Sequence, residues 1–233
     1  MKRIIKDTLV LFAITLIAGL LLGGVYKITK SPIEAQAKAK TEKAYKAVFY
    51  KYYEQVTDAE GAADSIVSEM SFDEWSADEL MALSQGFAAE LGDNTANTLD
   101  GLVTAYDSEG KVTGFVMTIT ISEAYGRSIQ MSVGILVDGT VAGVEILSIS
   151  ETPGLGMNAQ SDSFLGQFTG VATDEFAYTK TGKQADNEID AISSATYTTR
   201  SMTHGVNAAL AAYRAMQKSS ILMGAMEGGA VNE

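Results

Sequence analysis

The sequence predicts an α+β protein: an N-terminal single transmembrane helix, followed by an exported domain in which an antiparallel sheet is flanked by helices. Three observations carry this reading. Leu9–Tyr26 is an uncharged apolar run with bases at both ends. From Leu102 onward the apolar period becomes two, with Val, Ile and Thr dominant, as in strands. On either side of that region the spacing is three to four, as in helices.

Leu9–Tyr26 (LVLFAITLIAGLLLGGVY) approaches the ~20 residues a helix needs to cross a bilayer. It exceeds the ~7–15 apolar residues of a cleaved signal, so an uncleaved anchor is expected. Lys2, Arg3 and Lys6 precede it and Lys27 and Lys30 follow. The short basic tail and the acidic bulk favour a cytoplasmic N-terminus, with the large domain on the far side of the cell (inner) membrane. Ser31-Pro32 is expected to break or re-aim the helix, since proline disfavours helical backbone before it. Ile33 to Val56 then reads as a connecting helix. Ala44, Val48, Tyr52 and Gln55 lie on one stripe, with Tyr45, Phe49 and Tyr53 beside it. An aromatic stripe of this kind reads as core packing rather than a cofactor stack.

Residues 57–100 are acidic and weakly periodic, with one helix expected over Ser76–Leu91 and Trp75 as a core anchor. Four strands follow: Leu102–Tyr106, Val112–Ile121, Ile129–Val137 and Val141–Ile149. The turn signals between them are Ser108-Glu109-Gly110, Ala124-Tyr125-Gly126 and Asp138-Gly139. The reading is a four-stranded meander buried on one face. A short helix over Ser161–Phe168 and a long one over Thr198–Lys218 complete the domain. The expected organisation is a tail and membrane helix at 1–30, a connecting helix at 31–56, the exported domain at 57–223 and a frayed tail at 224–233.

Composition excludes several chemistries. With no cysteine there is no disulfide, iron–sulfur cluster, thiolate zinc site or lipidated cysteine, and the single histidine, His204, rules out a multi-histidine metal or haem site. The net charge is −12, and no Lys or Arg occurs between Lys51 and Lys111. Nucleic-acid binding, which needs basic patches, is not expected.

Two segments carry candidate chemistry. Asp190-Ala191-Ile192-Ser193-Ser194-Ala195-Thr196-Tyr197-Thr198-Thr199 crowds hydroxyls into a loop that opens a helix. A Ser/Thr cap is the plain structural reading. The same geometry also suits a phosphate, held by the unpaired amides and positive end of the helix. Ser150-Glu151-Thr152-Pro153-Gly154-Leu155-Gly156 holds a Pro-Gly turn whose glycines let backbone approach a flat ligand. Alone it reads as a strand-to-helix turn.

Together these segments resemble a family. Asp190–Thr196 looks like the flavinylation motif of FMN-binding domains. Glu151–Gly156 resembles a loop of the G subunit of the Rnf electron transport complex and of the C subunit of the sodium-pumping NADH:quinone reductase. Thr29–Ile33 and the strands from Val133 through Asp138-Gly139 to Ile149 add to the resemblance. It implies FMN carried covalently as a phosphoester on Thr196, installed from FAD by a magnesium-dependent flavin transferase of the ApbE kind. Ser193, Ser194, Ala195 and Thr198 match positions around the phosphate and ribityl chain. Asp190 matches the acidic position associated with transfer. Glu151, Thr152, Gly154, Leu155 and Gly156 match the loop beside the isoalloxazine, and Lys183 is a nearby cation for reduced flavin. Where the family has glycine, this chain has Ser194, a strained substitution if the turn requires φ > 0.

The function so implied is an electron relay, a redox subunit without its own substrate site, in an ion-translocating ferredoxin:NAD oxidoreductase. Its partners would be the other Rnf-type subunits, the flavin transferase and membrane lipid. The absence of a G-x-G-x-x-G fingerprint after a strand accords with a relay. The alternatives are the quinone-reductase C subunit, a free-standing exported flavoprotein, and a non-redox membrane-anchored scaffold.

Overall fold

The computed structural model describes residues 2–92 and 96–219; the tail expected to fray from Gly224 lies outside them. The chain divides into two units, Met1–Glu42 and Lys43–Glu233.

In the first unit everything described belongs to helix α1, Lys2–Val56, which runs on into the second unit and contains Pro32. The expected break at Ser31-Pro32 does not occur. Proline forfeits one backbone donor and crowds the preceding turn, and helical pairing on both sides outlasts that local loss. The large apolar side chains described between Leu9 and Val25 are exposed, Leu22 at 73%. The side chains of Val10 and Ala13, inside that run, are not among those described. Among the described residues no helix is long and apolar enough to cross a membrane.

The second unit is built on one sheet. Its strands are β1 (Ser71–Glu74), β2 (Asn97–Tyr106), β3 (Val112–Ile121), β4 (Ile129–Leu136), β5 (Thr140–Ser148) and β6 (Val171–Ala172). They lie in sequence order, each antiparallel to the next. The expected four-stranded meander is thus the centre of a six-stranded one. The short edge strands carry too few apolar residues to show an alternating pattern. Asp138-Gly139 turns the β4–β5 hairpin, with Gly139 at φ 91°. A two-stranded parallel ladder, β7 (Ala177–Thr179) with β8 (Glu188–Asp190), stands apart.

Helices flank the sheet as expected, but both of its faces are buried, where the sequence suggested one. Phe115, Met117, Ile119, Met131, Val133 and Ile135 face a core shared with α3 (Ala77–Glu90) and α5 (Thr196–Lys218). Val103, Ala105, Val116, Leu136 and Ala142 face the other way, against Tyr45, Val48 and Phe49 of α1 and Val67 of α2 (Ala62–Glu69). Close contact on that second face depends on glycine. A Cβ on Gly143 would lie 2.5 Å from the Val48 carbonyl oxygen, and one on Gly134 would lie 2.8 Å from Val48 Cγ2. The aromatic stripe of α1 is core packing, as its spacing predicted: Tyr45 and Phe49 are buried, with Phe72 of β1 beside both. Lys51 ties the same helix to Glu145 of β5 (3.5 Å) and to Asp162 (3.4 Å), the first residue of the short helix α4 (Asp162–Leu165).

Helix α3 begins at a capping box, with Ser76 and Glu79 exchanging bonds between side chain and backbone. Trp75, just before it, is half-buried against the larger core and donates its indole N–H to Thr104 Oγ1 (2.9 Å). Helix α5 is buried almost all round. Its small residues allow this: a Cβ on Gly205 would meet Met131 Cε at 2.4 Å. Glu90 of α3 accepts from Arg214 Nε (3.2 Å) and from Lys218, which secures the C-terminal half of α5. The fold therefore holds α5 rigidly and leaves its N-terminus at the surface.

Candidate functional site

Three loops meet at the N-terminus of α5. The first precedes the helix. Ala195 N–H donates to the Ile192 carbonyl (3.0 Å), closing a tight turn with Ser193 and Ser194 at its corners, both exposed. Ser194 has φ 62°, the one non-glycine residue with positive φ among those described. The strain foreseen for a serine at the family's glycine position is therefore present. Buried Thr199 holds the turn from behind, accepting from Ile192 N–H (3.0 Å) and donating to Ala195 O (3.1 Å). Replacing Ser194 with glycine should relieve about 1–2 kcal/mol of left-handed strain, against about 0.5–1 kcal/mol lost to greater freedom of the unfolded chain. The variant is expected to melt a few degrees higher, which calorimetry would register. An unchanged or lower midpoint would mean the serine is not strained there.

Thr196 is the first residue of α5, two residues earlier than the sequence suggested, and is half-buried. The helix begins after Ala195 with no side chain capping it. The amides of Thr196, Tyr197 and Thr198 thus have neither an intrahelical acceptor nor a cap. Among the described residues the Thr196 hydroxyl makes no hydrogen bond. A five-hydroxyl segment that leaves its own helix uncapped fits the anion-holding use of such a segment better than the structural one.

The second loop is Glu151–Gly156. Leu155 N–H closes on Thr152 O (3.1 Å), with Gly154 at φ 75° in the position a Pro-Gly turn reserves for glycine. Thr152 is exposed and Leu155 is 39% exposed. Gly156 is buried at the seam: a Cβ there would fall 2.8 Å from both Glu151 Oε2 and Thr198 Oγ1. Absence of a side chain at Gly156 is what lets the loop sit on the first turn of α5. Buried Thr198 is thereby packed against the loop, two residues from Thr196.

The third loop, between β3 and β4, carries no signal in the sequence beyond that of a turn. Buried Glu151 accepts from the backbone amides of Tyr125 (3.0 Å) and Gly126 (3.2 Å). Ser201 Oγ donates to Glu123 O, drawing the same loop onto α5. Tyr125, 72% exposed, meets the Tyr197 ring edge-on at 6.3 Å. Tyr197 in turn carries the Arg200 guanidinium 4.5 Å from its ring centroid. Beyond α1, the large apolar side chains exposed among the described residues are few, and Tyr125, Leu155 and Tyr197 are most of them. An apolar rim around an uncapped helix end suits a ligand with an anionic group and a flat ring system. The FMN phosphate and isoalloxazine have these two parts, so the residues present fit the group that the motifs imply.

The other expected site residues lie to one side. Asp190 is exposed, and its carboxylate accepts the backbone N–H of Lys183 (2.6 Å), so what meets Asp190 is the main chain of Lys183. The Asp190 backbone is held at both ends by the Gln167 amide. A cavity of about 380 Å³ adjoins them, lined by Asn158, Ser161, Ser163, Phe164, Gln167, Asp190 and Ile192. Thr196 does not line it. Sequence reasoning does not single out Tyr125, Gly126, Tyr197 or Arg200 as site residues. The available signal is position alone: Tyr197 stands inside the hydroxyl-rich motif, and Tyr125-Gly126 inside a turn.

His204 lies on α5 two turns beyond Thr196 and is half-buried. Burial lowers its pKa, and the positive charge of Arg200 lowers it further, opposed in part by Glu123 and Glu175. The neutral imidazole is therefore favoured by the fold. Its contribution to stability is present above the unfolded pKa of about 6.5 and is lost as pH falls through the folded value. His204→Gln should flatten the fall in melting temperature just below pH 6.5; an identical pH profile would refute this.

Comparison with known proteins adds family relationships. Residues 124–211 match the FMN-binding domain family, a range that takes in Tyr125-Gly126, Glu151–Gly156 and the turn before α5, and residues 1–48 match the RnfG N-terminal region. The G subunit of the Na(+)-translocating ferredoxin:NAD(+) oxidoreductase complex of Acetobacterium woodii is 37% identical over 113 residues, 48% of this chain and 54% of that one. Over that match the chain spans about half the relative's length. The G subunit of the proton-translocating ferredoxin:NAD(+) oxidoreductase complex of Clostridium ljungdahlii is 29% identical over 212 residues, 88% of this chain and 92% of that one. Among solved structures, the C subunit of the Na(+)-translocating NADH-quinone reductase from Parabacteroides distasonis has a similar fold. It has a TM-score of 0.51 at 16% identity, covering 80% of this chain and 97% of that one.

Proposed function

We propose that this chain, which matches the RnfG N-terminal region over residues 1–48 and the FMN-binding domain family over residues 124–211, is the electron-relay subunit of a membrane-bound, ion-translocating ferredoxin:NAD oxidoreductase, carrying FMN as a phosphoester on Thr196. The observation that carries the reading is that α5 starts at Thr196 with no side-chain cap, while Thr198, two residues on, packs its hydroxyl against Gly156 of the Glu151–Gly156 loop.

Thr196 would supply the oxygen of the phosphoester, formed with the FMN half of FAD as AMP leaves and the hydroxyl proton is released. When bound, flavin supplies one- and two-electron exchange. The chain's own contribution is positional. The amides of Thr196, Tyr197 and Thr198 would hold the phosphoryl group, with Ser193, Ser194 and Ala195 shaping its approach. Glu151 keeps the Tyr125-Gly126 loop and the Thr152–Gly156 turn in one frame, so that Gly154, Leu155 and the two tyrosines would border the ring. Asp190, whose carboxylate accepts the Lys183 amide, would serve the magnesium-assisted transfer. The ester prevents loss of cofactor where FMN is not replenished.

In the same reading Leu9–Tyr26, counted with Val10 and Ala13 whose side chains lie outside those described, would span the cell (inner) membrane once, with the N-terminus cytoplasmic and the flavin domain outside. The uncharged run and the exposure of its apolar side chains support this. Water would otherwise meet that surface at a cost of roughly 25 cal/mol per Å². The partners would be the remaining subunits of the complex and the surrounding lipid.

The test is co-expression of the full chain with a flavin transferase, followed by denaturing electrophoresis and intact-mass measurement. A yellow-fluorescent band and one FMN increment, mapped to the peptide containing Thr196, are expected. A colourless band of unmodified mass would sink the proposal.

A further inference from the structure

We infer that Arg200 is the positioning residue for the phosphoryl group on Thr196, an assignment that rests on the function proposed above. Residues four apart stand on one helix face, and helical side chains lean toward the N-terminus, so Arg200 leans back over the turn that Thr196 opens. In a chain of net charge −12, Arg200 has no carboxylate within ion-pair distance among the described residues. Its contact is the Tyr197 ring, 4.5 Å from guanidinium carbon to centroid.

Stacking on a ring face occupies the flat side of the guanidinium and leaves its in-plane N–H donors free. That planar fork matches two oxygens of a phosphodiester. The platform is itself braced: Tyr197 meets Tyr125 edge-on, and Tyr125 is held through its amide by Glu151. A single connected set of contacts thus runs from the loop beside the ring to the cation beside the phosphoryl group. Lys183, the cation expected from the sequence, has the Asp190 carboxylate on its own backbone amide, which sets a negative charge beside it. Glu123 and Glu175 act electrostatically on His204 near Arg200, yet neither pairs with the guanidinium.

The experiment uses the full chain in wild-type, Arg200→Gln and Arg200→Lys forms, treated with purified flavin transferase, FAD and magnesium. It reads the rate of attachment, the phosphorus-31 resonance of the phosphodiester, the flavin reduction potential and the melting temperature. A charge-assisted hydrogen bond is worth enough for Arg200→Gln to slow attachment about tenfold, with Arg200→Lys recovering part of the rate. The phosphorus resonance should move in the Gln variant while the melting temperature stays near wild type. Wild-type rate and resonance in Arg200→Gln would overturn the inference. So would an unmoved resonance with a lowered potential, which would assign the guanidinium to the ring. A wild-type chain that takes no flavin would instead remove the underlying reading, and this inference with it.

Discussion

Thr196→Val is expected to abolish covalent flavin entirely while leaving the fold intact. Valine replaces the hydroxyl with a methyl group of nearly the same shape, and Thr196 is half-buried with no hydrogen bond to lose among the described residues. The helix also tolerates valine at its first turn, since the propensity difference from threonine is a small fraction of a kcal/mol. The transferase would find the same loop and the same amides but no nucleophile. Denaturing electrophoresis should show a colourless band, and thermal unfolding should coincide with wild type. Thr196→Ser retains an oxygen and should accept flavin at a reduced rate. Fluorescence that survives in the valine variant would move the attachment to another hydroxyl, such as Ser193, Ser194 or Thr198.

Glu151→Ala is expected to cost about 2–3 kcal/mol and to loosen the flavin loops together. The buried carboxylate accepts from two backbone amides on a different loop. Truncation leaves both without a partner, at about 1–3 kcal/mol for each that water cannot reach. Because Tyr125 is largely exposed, water recovers part of one loss, which sets the lower figure. Glu151→Gln keeps an acceptor oxygen in place and should recover most of the stability. Denaturant titration gives the free energies. Hydrogen exchange should show the Tyr125 and Gly126 amides freed in the alanine variant, and attached flavin should become more accessible to a soluble quencher. If alanine and glutamine behave alike, the two amides do not depend on this acceptor.

Much of the molecule was legible in the sequence because the signals were local. Alternation marked the four central strands, Asp138-Gly139 marked the hairpin, and apolar spacing marked α3 and α5. Pro153-Gly154 predicted a turn that needs positive φ at glycine, and Gly154 has it. Ser194 in place of glycine left the strain conditional on the sign of φ, and φ 62° decides it. Each depends on a few neighbouring residues, whose sterics and hydrogen-bonding options hold in any fold.

What the tertiary structure alone decided depends on residues far apart in the chain. That α1 covers the second face of the sheet follows from Val48 fitting above Gly134 and Gly143, and a glycine's lack of a side chain does not say which residue will occupy the space. The edge strands β1 and β6 exist because neighbours offer free backbone groups to pair with, not because their own composition demands it. Above all, the candidate site is assembled from loops around residues 125, 151–156 and 196–200. Only the meander's pairing and the burial of α5 bring these within contact. Arg200 and Tyr197 look like ordinary helix surface until the Tyr125 ring and the Glu151 carboxylate arrive from elsewhere. Local chemistry named the motifs, and long-range packing joined them into one site.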